Sequence, residues 1–324
     1  MRADAHGEWL TSLLLFVIKG LRISILPFDL KVLLLTGIEY VAGYVYKTMH
    51  STAQSAKEEK KEKEGESRPR KKAVILDGTS KHGALLKNQL IEMGYTVVYP
   101  GKEETPSDSC IAIPISIRNE ESIDLFVKKV ILLGRIDLLV VNSAQYKAVR
   151  NKIKPIQGIE KKIIPSRKKT GFISKNELYK ESDRILLEKD LNARRNYLFN
   201  FLLIRGLSDS LKGGDGMVVL CVHRVFMLVS EKKNTLPSYS FSYCNSQLFN
   251  VFLGMGAKAR YNYLDIRVIG CDFLSDIWIK TVEHCVKQKK KEELQYFNNC
   301  TAGKIEGLNA DRANDIWENA EIIS

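Results

Sequence analysis

The stretch Gly134-Arg135-Ile136-Asp137-Leu138-Leu139-Val140-Val141-Asn142-Ser143-Ala144 decides the fold. Its run from Ile136 to Val141, apolar but for Asp137, is too short for a helix and does not alternate with polar residues. It therefore reads as a strand buried on both faces, the signature of a parallel sheet covered by helices. Glu120 to Leu133 before it has the periodicity of an amphipathic helix that stops at Gly134. Upstream, Ala73–Leu76, Thr96–Tyr99 and Cys110–Ile115 read as strands, with Leu85–Met93 as a helix between the first two. Downstream come one long helix (Ser182–Leu211), a strand (Met217–Val222), a helix (Tyr243–Ala259) and a strand (Ile266–Ile269). Strands separated by helical periodicity predict right-handed crossovers and an α/β, doubly wound parallel sheet of the Rossmann kind.

The 324 residues carry 50 basic and 38 acidic side chains, a formal charge of +12. At 44% hydrophobic and 27% charged, the chain is neither disordered nor a multi-span membrane protein. Its six cysteines form no C-x-x-C pair, so neither zinc nor a disulfide framework is indicated. The first 50 residues hold two apolar runs, Trp9–Leu26 and Leu30–Tyr46, separated by Pro27. A helix of about 17 residues spans roughly 25 Å, short of a hydrocarbon core of about 30 Å. Thr36, Glu39, Gly43 and Lys47 make a narrow polar stripe on the second run, which suits a hairpin or interfacial anchor for membrane lipids. Burial of both helices against the folded domain is the alternative, and a cleaved signal is disfavoured by Lys19-Gly20-Leu21-Arg22. Residues 51–72 read as a charged linker, whose basic end favours a cytosolic C-terminal domain. The domain is expected over 73–285 and a polar extension over 286–324.

The order of several motifs resembles the short-chain dehydrogenases/reductases. Gly134 to Ala144 is similar to that family's "G-x-I-D-x-L-V-N-N-A-G" stretch. Asp77-Gly78-Thr79-Ser80-Lys81-His82-Gly83 stands at its phosphate-binding turn, Asp190-Leu191-Asn192 resembles its "D-x-N" segment, and Tyr243 lies where the catalytic tyrosine opens its helix. The resemblance covers roughly Ala73 to Leu274. It implies that Gly78, Thr79, Ser80, Lys81, Gly83, Asn142, Ser143, Ala144 and Gln247 are the positions facing a dinucleotide. It also implies catalytic places for Tyr243 and Asn192.

The residues depart from that pattern where the chemistry would be. A phenol titrates near pH 10 and needs an adjacent cation to act as an acid or base near neutrality. The family places a lysine four residues after the tyrosine, on the same helical face; here that position is Gln247, which carries no charge. The family's serine is not reproduced at Val222 or His223; Ser230 lies nearer Tyr243, at a spacing the family also uses but beyond an apolar stretch, and His223 is either a substitute donor or a strand-end histidine. The turn keeps two of three glycines, and Asp77 and His82 add side chains where backbone should approach phosphate. Gly101-Lys102 follows the second strand in place of an acidic residue, so any bound dinucleotide would be NADP rather than NAD.

A basic insertion spans 146–176. Lys147, Arg150, Lys152, Lys154, Lys161, Lys162, Arg167, Lys168, Lys169 and Lys175 are ten cations against the single Glu160, an excess of nine. Beside an anchor, such a tract favours anionic headgroups; it lacks interleaved aromatics, so nucleic acid is disfavoured. The same alternatives apply to Lys287–Lys291. Two functions fit these features. One is a membrane-anchored protein of this fold that has lost ordinary dehydrogenase activity and acts by binding or assembly. The other is a membrane-bound NADPH-dependent oxidoreductase of a lipid or sterol-like carbonyl using Tyr243. A protein partner or homodimer fits the first. Endoplasmic reticulum, lipid droplet and mitochondrial outer membrane fit the anchor equally. The sequon Asn299-Cys300-Thr301 would matter only on the opposite side of the membrane.

Overall fold

The computed structural model describes residues 12–21, 24, 26–54, 71–76, 78–101, 108–117, 119–142, 180, 183–188, 190–212, 216–229, 239–271, 277–290, 292–298, 301–303, 305 and 308–324. The basic insertion, most of the linker, Asp77, Ser143, Ala144, Ser230 and the sequon's Asn299 and Cys300 lie outside them. Eight strands form one sheet: β1 (Lys71–Ile75), β2 (Tyr95–Pro100), β3 (Cys110–Ile113), β4 (Leu138–Asn142), β5 (Met217–His223), β6 (Asp265–Cys271), β7 (Gln295–Asn298) and β8 (Thr301–Gly303). Their order is β3-β2-β1-β4-β5-β6-β7-β8, parallel throughout except for the antiparallel β7–β8 pair. The order reverses between β1 and β4, which is the doubly wound Rossmann arrangement and places the ligand crevice beyond the carboxyl ends of the strands.

Side-chain alternation along the strands divides the core in two. Val74, Val98, Leu139, Val141, Val218, Leu220, Val222, Ile266 and Val268 face one helical layer. Ala73, Ile75, Val97, Tyr99, Leu138, Val140, Val219, Cys221, Ile269 and Cys271 face the other. The first layer holds α4 (Glu120–Ile131), α5 (residues 191–212), α6 (Tyr239–Arg260) and α8 (Ala310–Ile323); the second holds α3 (Lys81–Glu92) and α7 (Ile277–Lys287). Asn119 opens α4 with a reciprocal capping box to Ser122, and Glu120 and Glu121 add favourable negative charge in its first turn.

Three expectations need correction. The long helix expected over 182–211 is not one element. Asp190 interrupts it, its Oδ1 accepting the backbone N–H of Asn192 at 2.7 Å and of Ala193 at 3.1 Å. Beyond this break α5 begins as Leu191–Ala193, passes a π-helical turn at Arg194–Leu198 and continues as Phe199–Lys212. Second, residues 286–324 are no polar extension. They supply β7, β8 and α8, and Trp317 of α8 lies edge-on to Phe201 at 4.8 Å with almost no exposure. Third, the N-terminal runs are not a detached anchor. They form α1 (residues 12–21) and α2 (Phe28–Gln54), and among the described residues no helix is long and apolar enough to cross a membrane. Ile18, Val32 and Leu35 pack on Val225, Leu228 and Cys244 of the domain. Two members of the polar stripe of α2 are turned inward with them, Gly43 being buried and Glu39 1% exposed, while Thr36 bonds the Val32 carbonyl of its own helix. The outward face is the apolar one, with Phe16 76%, Leu33 67%, Val41 60% and Tyr44 67% exposed.

Candidate functional site

The carboxyl ends of β5, β6 and β7 converge on a buried polar cluster. β5 ends at His223, whose backbone N–H donates to Gln247 Oε1 at 2.9 Å. Gln247 is fully buried on α6, and its Nε2 has no hydrogen-bond partner. Tyr243, one turn earlier, is half-buried and meets the His223 ring edge-on at 5.9 Å. The helix begins at Tyr239, so Tyr243 stands one turn inside it rather than at its opening.

His223 Nδ1 accepts the N–H of Val225 at 3.2 Å, so a neutral ring carries its proton on Nε2. Burial, reinforced by the neighbouring Arg224, pushes its pKa down to about 3. His223 is thus uncharged at neutral pH and does not replace the missing ammonium. The consequence for stability has a definite sign. In the unfolded chain the group titrates near 6.5, so between about pH 6.5 and 3 the unfolded state binds the extra proton, and this contribution is lost as pH falls through that window. Changing His223→Asn should flatten the fall in melting temperature between neutral pH and about pH 4 relative to wild type; parallel curves for the two proteins would show that His223 is not held neutral.

Arg224 opens the 3-10 turn Arg224–Leu228. It is 1% exposed, donates from Nε to Asn298 Oδ1 at 2.5 Å and from Nη1 to Glu39 Oε1 at 3.0 Å. The other Glu39 oxygen lies 3.8 Å from His223 Nε2. Over β6, Tyr296 packs so closely on Gly270 that a Cβ there would come within 2.3 Å of the phenol oxygen and 3.3 Å of Arg224 Cγ. The Tyr296 hydroxyl is buried without a hydrogen-bond partner, and burial raises its pKa.

Asn192 is brought to this helix pair, but its amide is already engaged. Its Nδ2 donates to Ser242 Oγ at 2.9 Å, and Ser242 in turn donates to Asp190 Oδ2. The contact is the first rung of a buried seam between α5 and α6. Asn196 donates to Ser246 at 2.7 Å and Asn200 to Asn250 at 2.8 Å, each pair fifty residues apart. Asn192 therefore clamps two helices beside Tyr243.

The glycine turn is likewise committed internally. Ser80 caps α3 by accepting the Gly83 N–H at 3.1 Å. A Cβ on Gly78 would meet the ring of buried Tyr99 at 2.5 Å, and one on Gly101 would meet it at 3.0 Å. The missing side chain at Gly78 is thus used by Tyr99, and the amide at Gly83 by Ser80. Pyrophosphate binding at such a turn draws on those amides and that close approach. Thr79 and Lys81 border it, and Asn142 closes β4 opposite Cys221.

Sequence reasoning missed Arg224 and Tyr296, and placed Glu39 in the anchor's polar stripe rather than in a site. Glu39 and Arg224 are 185 residues apart, and only the exception that a lone carboxylate makes in an apolar run pointed to the pair. No family model and no curated protein matches the chain. Among solved structures, the chain is similar to a protein described as a short-chain alcohol dehydrogenase from Burkholderia multivorans, at 16% identity over 71% of this chain and 97% of that one (TM-score 0.48). It is also similar to a short-chain dehydrogenase/reductase oxidoreductase from Brucella ovis, at 13% identity over 71% and 99% (TM-score 0.46). An alcohol dehydrogenase from Thermococcus sibiricus, solved with 5-hydroxy-NADP, is 13% identical over 70% and 95% (TM-score 0.45). The fold assignment itself rests on the strand order.

Proposed function

We propose that this chain is a catalytically silent protein of the short-chain dehydrogenase/reductase fold that works by binding at a membrane surface. The observation that carries the reading is Gln247. A buried amide whose oxygen holds the His223 backbone supplies no charge to a phenolate at Tyr243, and the neighbouring guanidinium of Arg224 is paired with Glu39 at 3.0 Å. A phenol ordinarily titrates near pH 10 and needs a charged neighbour to donate or accept a proton efficiently at pH 7. The committed glycine turn supports the same conclusion for the dinucleotide.

The membrane side of the reading is supported by the outward face of α1 and α2. Phe16, Leu33, Tyr40, Val41 and Tyr44 form an apolar surface with two tyrosines one turn apart, the residue type favoured at headgroup depth. The nine-charge excess of residues 146–176 adds attraction for anionic headgroups, at about 1 kcal/mol per charge near the surface. The domain is then cytosolic, on the endoplasmic reticulum, lipid droplet or mitochondrial outer membrane, with protein partners or a second copy assembling on it and nucleic acid playing no part.

Two measurements test this. Thermal denaturation with NADPH or NADH should show no shift, whereas binding at a hundredfold excess over Kd would stabilise by about 2.7 kcal/mol. Flotation with phosphatidylserine-containing vesicles should carry the wild type upward, and Phe16→Ser with Leu33→Ser should cut the floated fraction at least several-fold. A nucleotide-dependent shift would refute silence; flotation indifferent to both serines would refute the membrane face.

A further inference from the structure

We propose that Arg224 and Tyr296 form a binding site for the carboxylate of an alkyl amphiphile, a site that the chain's own Glu39 now occupies. The inference is independent of whether Tyr243 is silent. Four observations converge on it. The guanidinium of Arg224 lies beyond the ends of β5 and β7, where a sheet of this kind places its ligand crevice. It takes a carboxylate at 3.0 Å that arrives from outside the sheet domain, on the N-terminal helix α2. Beside it, the Tyr296 hydroxyl is buried and without a hydrogen-bond partner, a donor that the helix leaves unused. The wall next to Arg224 is apolar: Val225, Leu228 and Cys244 pack on Val32 and Leu35 of α2.

Helix α2 thus presents a carboxylate and, one turn before it, the fully buried alkyl side chain of Leu35. A fatty carboxylate presents the same two features in one molecule. Because an unpaired buried charge is strongly unfavourable, Arg224 demands an anion whenever Glu39 is withdrawn. The apolar wall then selects an anion that carries hydrocarbon over an inorganic one.

The test uses the full chain with Glu39→Ala, which empties the carboxylate position and leaves Arg224. Sodium octanoate should raise the melting temperature of this variant saturably, by about five degrees or more at saturating concentration. Octanamide and octylammonium should leave it unchanged, wild type should respond to none, and adding Arg224→Ala should abolish the octanoate effect. Where the alanine variant does not fold, Glu39→Gln keeps the volume and replaces the carboxylate by a weaker neutral competitor; octanoate should then raise its melting temperature saturably while wild type stays unresponsive. An octanamide response equal to that of octanoate, no octanoate response in Glu39→Ala, or, where that variant does not fold, no octanoate response in Glu39→Gln would each overturn the proposal.

Discussion

Changing Gln247→Lys is expected to lower the melting temperature by ten degrees or so and to create no dehydrogenase. The substitution restores the charge that the fold's tyrosine chemistry needs, so a vacant catalytic position would simply regain function. The position is not vacant. Gln247 is fully buried and its oxygen accepts the His223 N–H at the end of β5. Lysine has no acceptor, so that buried N–H loses its partner, at about 1–3 kcal/mol. Its ammonium would also be buried close to the turn that begins with the guanidinium of Arg224, and an uncompensated buried charge costs about 3–5 kcal/mol. At roughly 2–4 °C per kcal/mol for a large domain, these terms together account for the expected drop. Calorimetry of both proteins, with turnover of an aldehyde panel by the variant, checks the result. A variant as stable as wild type and active would mean that Gln247 carries no structural load.

The second large effect concerns the docking of α2. Glu39→Ala leaves Arg224 buried without its carboxylate, and Arg224→Ala does the reverse to Glu39; each should cost about 3–5 kcal/mol. Both charges are almost completely shielded from solvent, so screening offers little relief. Replacing both at once, Glu39→Leu with Arg224→Met, should recover most of the loss, because a well-packed apolar pair removes the desolvation cost along with the attraction. The cycle is read by denaturant unfolding. Strictly additive single-variant losses would show that α2 is held by its apolar contacts alone and that the ion pair contributes nothing.

The sheet was legible because each core strand is an apolar run with β-branched residues, and both faces are covered; Leu138 to Val141 alternate between the two helical layers. The C-terminal elements were not legible by the same rule. Gln295–Asn298 is short and polar at both ends, so it lacks the run of apolar residues that marked the others. For α8 a signal existed, since Ala313, Ile316, Trp317 and Ala320 fall at helical spacing behind the cap Asn309. The polar stripe of α2 was visible, but its direction was not: a carboxylate amid leucines faces water or a buried cation equally well until the partner is known. Asn192 was found for a catalytic reason and turned out to hold Ser242, because a local motif cannot show whether its amide is already committed. Gly78 was found from a local motif too, which could not show that a tyrosine from the neighbouring strand fills the space beside it.

Silence at this site rests on Gln247, one turn beyond Tyr243, supplying an amide where the fold's chemistry uses an ammonium. The most direct test is NADPH- and NADH-dependent reduction of a broad set of aldehydes and ketones by the full chain on vesicles, beside Tyr243→Phe. Rates at background for both proteins are predicted. Measurable turnover by wild type that disappears in the phenylalanine variant would contradict it.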